Sequence, residues 1–201
     1  TSGADRIYDY IVEGEYDNII CTHVFPALAI TEMLERHPSM RITTSFISTD
    51  YTCSPSVSDS NLEWYFIPAE SLKDEFVRCG VPSEKLVASG LPAKRAFYAR
   101  PDKKAAKAAL GFDEDQRHLL VMCGSMGCGP IRSIAMRIGE IMDENDSLVI
   151  ICGSNRQLEK DLQFLAGDDM RIKICGFTDK MSMYMDAADL IITKAGGLST
   201  T

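Results

Sequence analysis

The sequence predicts an α/β protein made of two Rossmann-like parallel-sheet domains, and three observations carry that prediction. Short apolar runs alternate with amphipathic stretches along the whole chain. The runs are apolar throughout rather than alternating with polar residues, as expected of parallel strands covered on both faces. Near the middle, "ARPDKKAAKAAL" breaks the rhythm with a proline and a run of cations. That seam, at Arg100–Pro101, divides the chain into segments 1–100 and 101–201. Right-handed β-α-β crossovers then make a doubly wound sheet in each segment.

Taken in order, "TSGADRIYDYIVEGEYDNII" reads as a helix running into a strand. "DNIICT" leads to the helical "FPALAITEMLERH", and "RITTSFIST" leads to a serine-rich loop. "LEWYFIPA" precedes "ESLKDEFVRCG", and "KLVASGLP" precedes "AKRAFYAR". In the second segment "HLLVMCG" leads to "PIRSIAMRIGEIMDEN" and "SLVIICG" to "NRQLEKDLQFLAG". "RIKICGF" leads to "DKMSMYMDAA", and "DLIITKAGG" closes the series. About eight strands are more than one sheet of this length comfortably holds, so two sheets are expected.

Composition narrows the function classes. At 45% hydrophobic and 25% charged residues the chain has globular proportions, and no apolar run approaches the roughly 20 residues of a membrane span. A net charge of −8 argues against a nucleic-acid partner, which demands a basic face. Lys94, Arg95, Arg100, Lys103, Lys104 and Lys107 form a local cationic exception. It reads as a solvated linker and helix face, or as an attraction to anionic lipid. Seven cysteines without a C-x-x-C pair, and three scattered histidines, predict reduced thiols and no metal site.

In a parallel sheet every strand's carboxyl end points to one edge, where ligands bind. The second segment places "GSMGCGP", "GSN", "GFTDKM" and "KAGGLSTT" at those four ends. Gly124, Gly127 and Gly129 precede Pro130, a residue favoured at the first helical position, so a helix start would aim free N–H groups at the loop. The spacing is neither a P-loop nor the G-x-G-x-x-G dinucleotide fingerprint, and the next strand ends in Gly153-Ser154-Asn155 rather than an acid. NAD binding is disfavoured; a phosphate cradle and a plain tight turn both remain. In "KAGGLSTT", Gly196 and Gly197 expose backbone, Ser199, Thr200 and Thr201 offer hydroxyls, and Lys194 adds a positive charge. Such donors hold a pyrophosphate without a metal, though a capped glycine turn has the same composition.

The order "GSMGCGPI", "ICGSN", "GFTDKMSMYMDAADLIITKAGGLSTT" resembles the sugar-nucleotide-binding half of glycosyltransferase family 28. "DNIICTHVFPALA", "STDYTC" and "GLPAKRAFY" resemble the lipid-directed group of that family, the monogalactosyldiacylglycerol synthases and processive diacylglycerol glucosyltransferases of bacteria. The resemblance implies the GT-B architecture, with a lipid-acceptor domain in 1–100 and a UDP-sugar domain in 101–201, both incomplete. It implies inverting, metal-independent transfer of a hexose from a UDP-sugar donor to diacylglycerol, without a cofactor, at the cytosolic face of the membrane. N-acetylglucosaminyl transfer to a peptidoglycan lipid intermediate, and a non-catalytic nucleotide-sugar-binding module, are the alternatives.

By the same resemblance, Gly124, Ser125, Met126 and Gly127 lie near the diphosphate and the acceptor-facing cleft, with Gly153 at the next strand end. Gly176, Phe177 and Met181 frame the uracil, and Lys194, Gly196, Gly197, Leu198, Ser199 and Thr201 hold the diphosphate. His23 and Asp50 follow strands and are the candidates for the acceptor's base. A helix-capping or turn-forming role accounts for either equally well. Relatives carry a glycine-rich loop before this region and a ribose-binding glutamate after the "GG" loop. The 201 residues are therefore expected to be an internal piece of a longer enzyme, inactive alone. His37 and His118 read as structural, Trp64 and Tyr65 as core, the methionines of "MSMYMDAA" as packing, and Arg132 as solvated.

Overall fold

Eight strands form where the apolar runs predict them, and in the computed structural model they assemble into two four-stranded, all-parallel sheets. The structure describes residues 3–99, 101–122, 124, 126, 127 and 129–199. These residues fall into two units that divide at Pro92/Ala93, so that residues 93–99, with the single 3₁₀ turn Arg95–Phe97, group with the second unit. Arg100 of the expected seam lies outside the described residues.

The first unit runs α1 (Gly3–Glu13), β1 (Asn18–Cys21), α2 (Val24–Arg36), β2 (Thr43–Ile47), β3 (Trp64–Ile67), α3 (Lys73–Arg78) and β4 (Leu86–Ala88). Its strands lie in sequence order β1-β2-β3-β4. Every crossover therefore advances in the same direction, and right-handed crossovers advancing one way place their helices on one face. The core shows the consequence. Cys21, Phe46, Tyr65, Ile67 and Leu86 pack with Ile11 of α1, Ala27, Ile30 and Met33 of α2 and Phe76 of α3. The register pairs Ser45 with Trp64 and Phe66 with Val87 on the opposite face, and those side chains lie outside that core. Coverage of both faces, expected for this half, is thus corrected to coverage of one. Trp64 is corrected with it: it is 38% exposed, whereas its neighbour Tyr65 is buried and its hydroxyl bonds the Ser60 carbonyl and the Leu62 N–H.

The second unit runs α4 (Lys103–Ala109), β5 (Arg117–Met122), α5 (Ile131–Ile141), β6 (Asp146–Ile151), α6 (Arg156–Ala166), β7 (Ile172–Cys175), α7 (Met181–Ala187) and β8 (Leu190–Thr193). Its order is β7-β6-β5-β8. Strands β5, β6 and β7 wind outward with α5 and α6 on one face, and the chain then returns to the far side of β5, which puts α7 on the other. Two cores result. Val121, Leu148, Ile150 and Cys152 meet α5 and α6; Leu120, Met122, Val149 and Ile151 meet Tyr184 of α7. This half is doubly wound as predicted. Every residue of β6 is buried, as befits a central strand.

Lys107 departs from its expected place on a solvated face. It is 4% exposed, its ammonium donates to the carbonyls of Glu114 and Gln116, and it lies 3.1 Å from the Asp189 carboxylate. Lys103 reaches the same carboxylate at 2.8 Å, and the His118 N–H donates to it as well. Burial opposes ionisation of Asp189, but these donors outweigh it and hold the carboxyl well below the usual range. His118 is buried, with its ring nitrogens on the Ser147 hydroxyl and the Asp113 carbonyl, and burial lowers its pKa. His37 stacks on Tyr8 and faces Asp5, so both histidines are structural, as read.

Candidate functional site

Reversal of strand order gives the second sheet a switch point between β5 and β8, and the carboxyl edge there is where a doubly wound sheet opens a crevice. The loop after β5 and the loop after β8 meet at it. Gly124 has φ +74°, and the Lys194 side chain lies over it, with Cε 3.2 Å and Nζ 3.6 Å from where a Cβ would stand. A cation from one loop is thus held against bare backbone of the other. Gly196 accepts the Ser199 N–H at 2.9 Å in the 3₁₀ turn Gly197–Ser199 that closes the β8 loop. Leu198 is 58% exposed in that turn, and Met126 is 70% exposed on the β5 loop.

Gly127 does something different. Its φ is +57°, and an added Cβ would come within 2.9 Å of the Asn155 Cβ and into the Cys152 carbonyl oxygen. Its N–H closes a turn on the Gly124 carbonyl, and its own carbonyl accepts from the Asn155 amide at 3.2 Å. Asn155 also caps α6, its Oδ1 accepting the Leu158 N–H. Gly127 therefore fastens the β5 loop to the β6 loop, whereas Gly124 faces Lys194 of the β8 loop. Gly153, with φ +59°, is buried in the same seam. Asn155 as a capping asparagine was legible in "GSNRQLEKDL"; its second bond to Gly127 carries no sequence signal.

At the far edge, β7 is followed by Gly176 and Phe177. Phe177 is 78% exposed, an aromatic ring standing at the strand end. Met181 is partly buried and packs against the core that contains Tyr184. The Glu159 carboxylate sits against Gly176, a neighbour that sequence reasoning missed. Helix α5 begins at Ile131 with Pro130 at its cap position rather than its first turn, and no side chain caps it. Arg132 is exposed, as expected. Ser125, Thr201, Cys123 and Cys128 lie outside the described residues. Among the described residues no three His, Cys, Asp or Glu side chains gather into a metal-binding group.

In the first unit His23 and Asp50 follow the neighbouring strands β1 and β2, and no hydrogen bond or ion pair joins them. His23 caps α2, its Nδ1 accepting the Phe25 N–H at 3.3 Å. The capping role is thus present in the geometry. Asp50 is exposed in a turn where its carbonyl accepts the Ser48 hydroxyl. Phe25, 71% exposed, and Tyr51, 45% exposed, flank this edge. No helix of the described residues is long and apolar enough to cross a membrane.

Comparison with known proteins gives the same division. Residues 1–93 match the family model for monogalactosyldiacylglycerol (MGDG) synthase, and residues 118–200 match that for the glycosyltransferase family 28 C-terminal domain. A processive diacylglycerol beta-glucosyltransferase of Staphylococcus saprophyticus is 28% identical over 200 residues, which cover 98% of this chain and 50% of that protein. One of Bacillus mycoides is 24% identical, with coverages of 98% and 54%. The chain thus spans about half the length of these curated relatives. Among solved structures, UDP-GlcNAc 2-epimerase from Neisseria meningitidis bound to UDP-GlcNAc superposes with a TM-score of 0.67 at 14% identity, covering 98% of this chain and 59% of that one. HepE of Anabaena in complex with UDP gives 0.60 at 12% identity, with coverages of 94% and 55%. MurG of Acinetobacter baumannii gives 0.58 at 14%, with coverages of 95% and 50%. At these identities the likeness is one of fold.

Proposed function

We propose that the chain is part of a glycosyltransferase of family 28, whose C-terminal domain model matches residues 118–200, and that its second unit binds the UDP moiety of a sugar donor. The proposed reaction of the whole protein is transfer of a hexose to a lipid, diacylglycerol being the acceptor, at the cytosolic membrane surface. The observation that carries the reading is the meeting of Lys194 with the Gly124 backbone at the switch point. There the diphosphate takes a charge-assisted bond from Lys194 and further bonds from the N–H groups of the glycine loops. The same donors neutralise the leaving diphosphate as it departs with the glycosidic electron pair.

The base has its place at the other end. Strands β8 and β7 are separated by β5 and β6, three spacings of ~4.8 Å or about 14 Å in all. That is the reach of an extended nucleoside diphosphate. With the phosphates at β5/β8, the pyrimidine falls against Gly176 and the open ring of Phe177. The metal-independent form of the reaction is supported by Lys194, a positive charge of the chain itself beside the glycine loop. The acceptor side rests on the exposed Phe25 and Tyr51 at the first sheet's carboxyl edge. His23 and Asp50, at that edge, are the proposed candidates for the base that deprotonates the acceptor.

Calorimetric titration with UDP, UDP-glucose and UDP-galactose tests the donor reading. Binding is expected, unchanged in EDTA, and Lys194→Gln is expected to weaken it by about tenfold or more, since a charge-assisted bond is lost. No binding of any uridine nucleotide overturns the proposal. Incubation of the whole protein with UDP-hexose and diacylglycerol vesicles, followed by lipid analysis, tests the acceptor.

A further inference from the structure

The loop after β2 is held against α3 by one carboxylate. A single oxygen of Glu75 accepts the Cys53 N–H at 2.7 Å and the Thr52 hydroxyl at 2.9 Å. Four residues on, and so on the same face of the helix, stands Cys79, whose N–H bonds the Glu75 carbonyl at 3.0 Å. A second contact fixes the same approach: the Ser58 Cβ lies 3.3 Å from where a Cβ on Gly80 would stand. Loop and helix end thus bring Cys53 and Cys79 to one place.

The two thiols are in contact. That of Cys53 donates to the Ser54 carbonyl at 3.6 Å and is also hydrogen-bonded to the Cys79 thiol. Cys53 is buried in the core of the first unit, while Cys79 is half-buried and packs against that core. Burial first, then the Cys79 thiol and the Glu75 charge, push the Cys53 thiol up to about 12. A reagent therefore meets Cys79 first, and Cys53 stands behind it as the second sulfur. By contrast Cys152 and Cys175, on adjacent strands, belong to cores on opposite faces of their sheet.

We propose that Cys53 and Cys79 form a dithiol modification site, which a low-molecular-weight disulfide of the glutathione type oxidises to an intramolecular disulfide. Cys79 loses its proton and attacks one sulfur of the small disulfide, expelling the other as a thiolate and leaving a mixed disulfide. Two of the influences that hold the Cys53 proton come from the Cys79 thiol, and they end at that step. Cys53 then loses its proton and attacks the Cys79 sulfur, expelling the second small thiolate. The chain gives up two electrons and two protons, and the small disulfide becomes two thiols. The new bond fastens the loop that carries Asp50 and Tyr51 to the end of α3. The site belongs to the first unit alone and stands apart from the nucleotide reading.

Incubation of the whole chain with oxidised glutathione, followed by alkylation of the remaining thiols and peptide mapping, tests it. The expected product has lost two hydrogens, carries Cys53 linked to Cys79, and returns to the dithiol with dithiothreitol. In glutathione buffers, opening the bond in the native chain is expected to take about tenfold or more reduced glutathione than in the urea-unfolded chain, because the fold holds the sulfurs together. Cys53→Ser is expected to stop with glutathione on Cys79. Wild type that keeps both thiols free, stops with glutathione on Cys79, or links either cysteine elsewhere overturns the proposal. So does a bond opened as easily in the native chain as in urea. These readouts use the wild-type sequence, so they stand even where Cys53→Ser fails to fold.

Discussion

Gly124 and Gly127 are three residues apart in one loop and have opposite sensitivities. Both have positive φ, which costs an alanine about 1–2 kcal/mol. At Gly124 the added methyl meets the flexible end of Lys194, which can swing aside, so Gly124→Ala is expected to keep most of its stability. Displacing Lys194 from the switch point then weakens UDP binding by about tenfold, on the scale of one charge-assisted bond. At Gly127 the methyl meets the Cys152 carbonyl and Asn155, both held by the sheet edge and α6. Gly127→Ala is expected to destabilise the second unit by about 3 kcal/mol or more, through strain that nothing nearby can relieve. Urea midpoints and UDP titrations on the two variants separate the effects. Glycine at these strand ends was legible because backbone approach demands it. Which glycine faces a ligand and which faces another loop was not, since that depends on Asn155 and Lys194 arriving from elsewhere.

Helix α4 shows the same limit for an element. "DKKAAKAAL" gives Lys107 no apparent reason for burial, because its partner Asp189 lies at the start of another strand, far along the chain. Breaking that pair leaves an ammonium buried with only two carbonyls, so Asp189→Asn is expected to cost about 3 kcal/mol. The pH dependence follows from the same groups. Asp189 has a depressed folded pKa, so its contribution is complete above its unfolded value of about 4 and is lost as pH falls through the lower folded one. His118 is also depressed, but as a base: the unfolded chain takes up its proton first, and stability is lost as pH falls below about 6.5. Urea midpoints of the second unit should therefore decline in two windows. Asp189→Asn shrinks the lower one, to which the depressed carboxyls of Asp146 and Asp169 also contribute, and leaves the upper in place.

For the whole molecule, strand identity was legible and strand order was not. Runs such as "NIIC" and "WYFI" are apolar on both sides whether or not helices cover both faces, so the sequence predicts two doubly wound halves where the fold has one. The order β1-β2-β3-β4 leaves Ile20, 63% exposed, and Trp64 on the uncovered face. Trp64 is the only tryptophan, which makes it a reporter of the first unit alone. Each unit has its own core, and the proposed nucleotide contacts all belong to the second. UDP at a hundredfold above its dissociation constant stabilises whatever binds it by about 2.7 kcal/mol, which raises the melting point of a unit this size by roughly 10 °C. That shift is expected in the far-ultraviolet circular dichroism of the second unit's transition, while the fluorescence transition of Trp64 stays in place. Equal shifts in both signals would mean that the two cores unfold as one cooperative body, and the absence of a shift in either would remove the nucleotide from the second sheet.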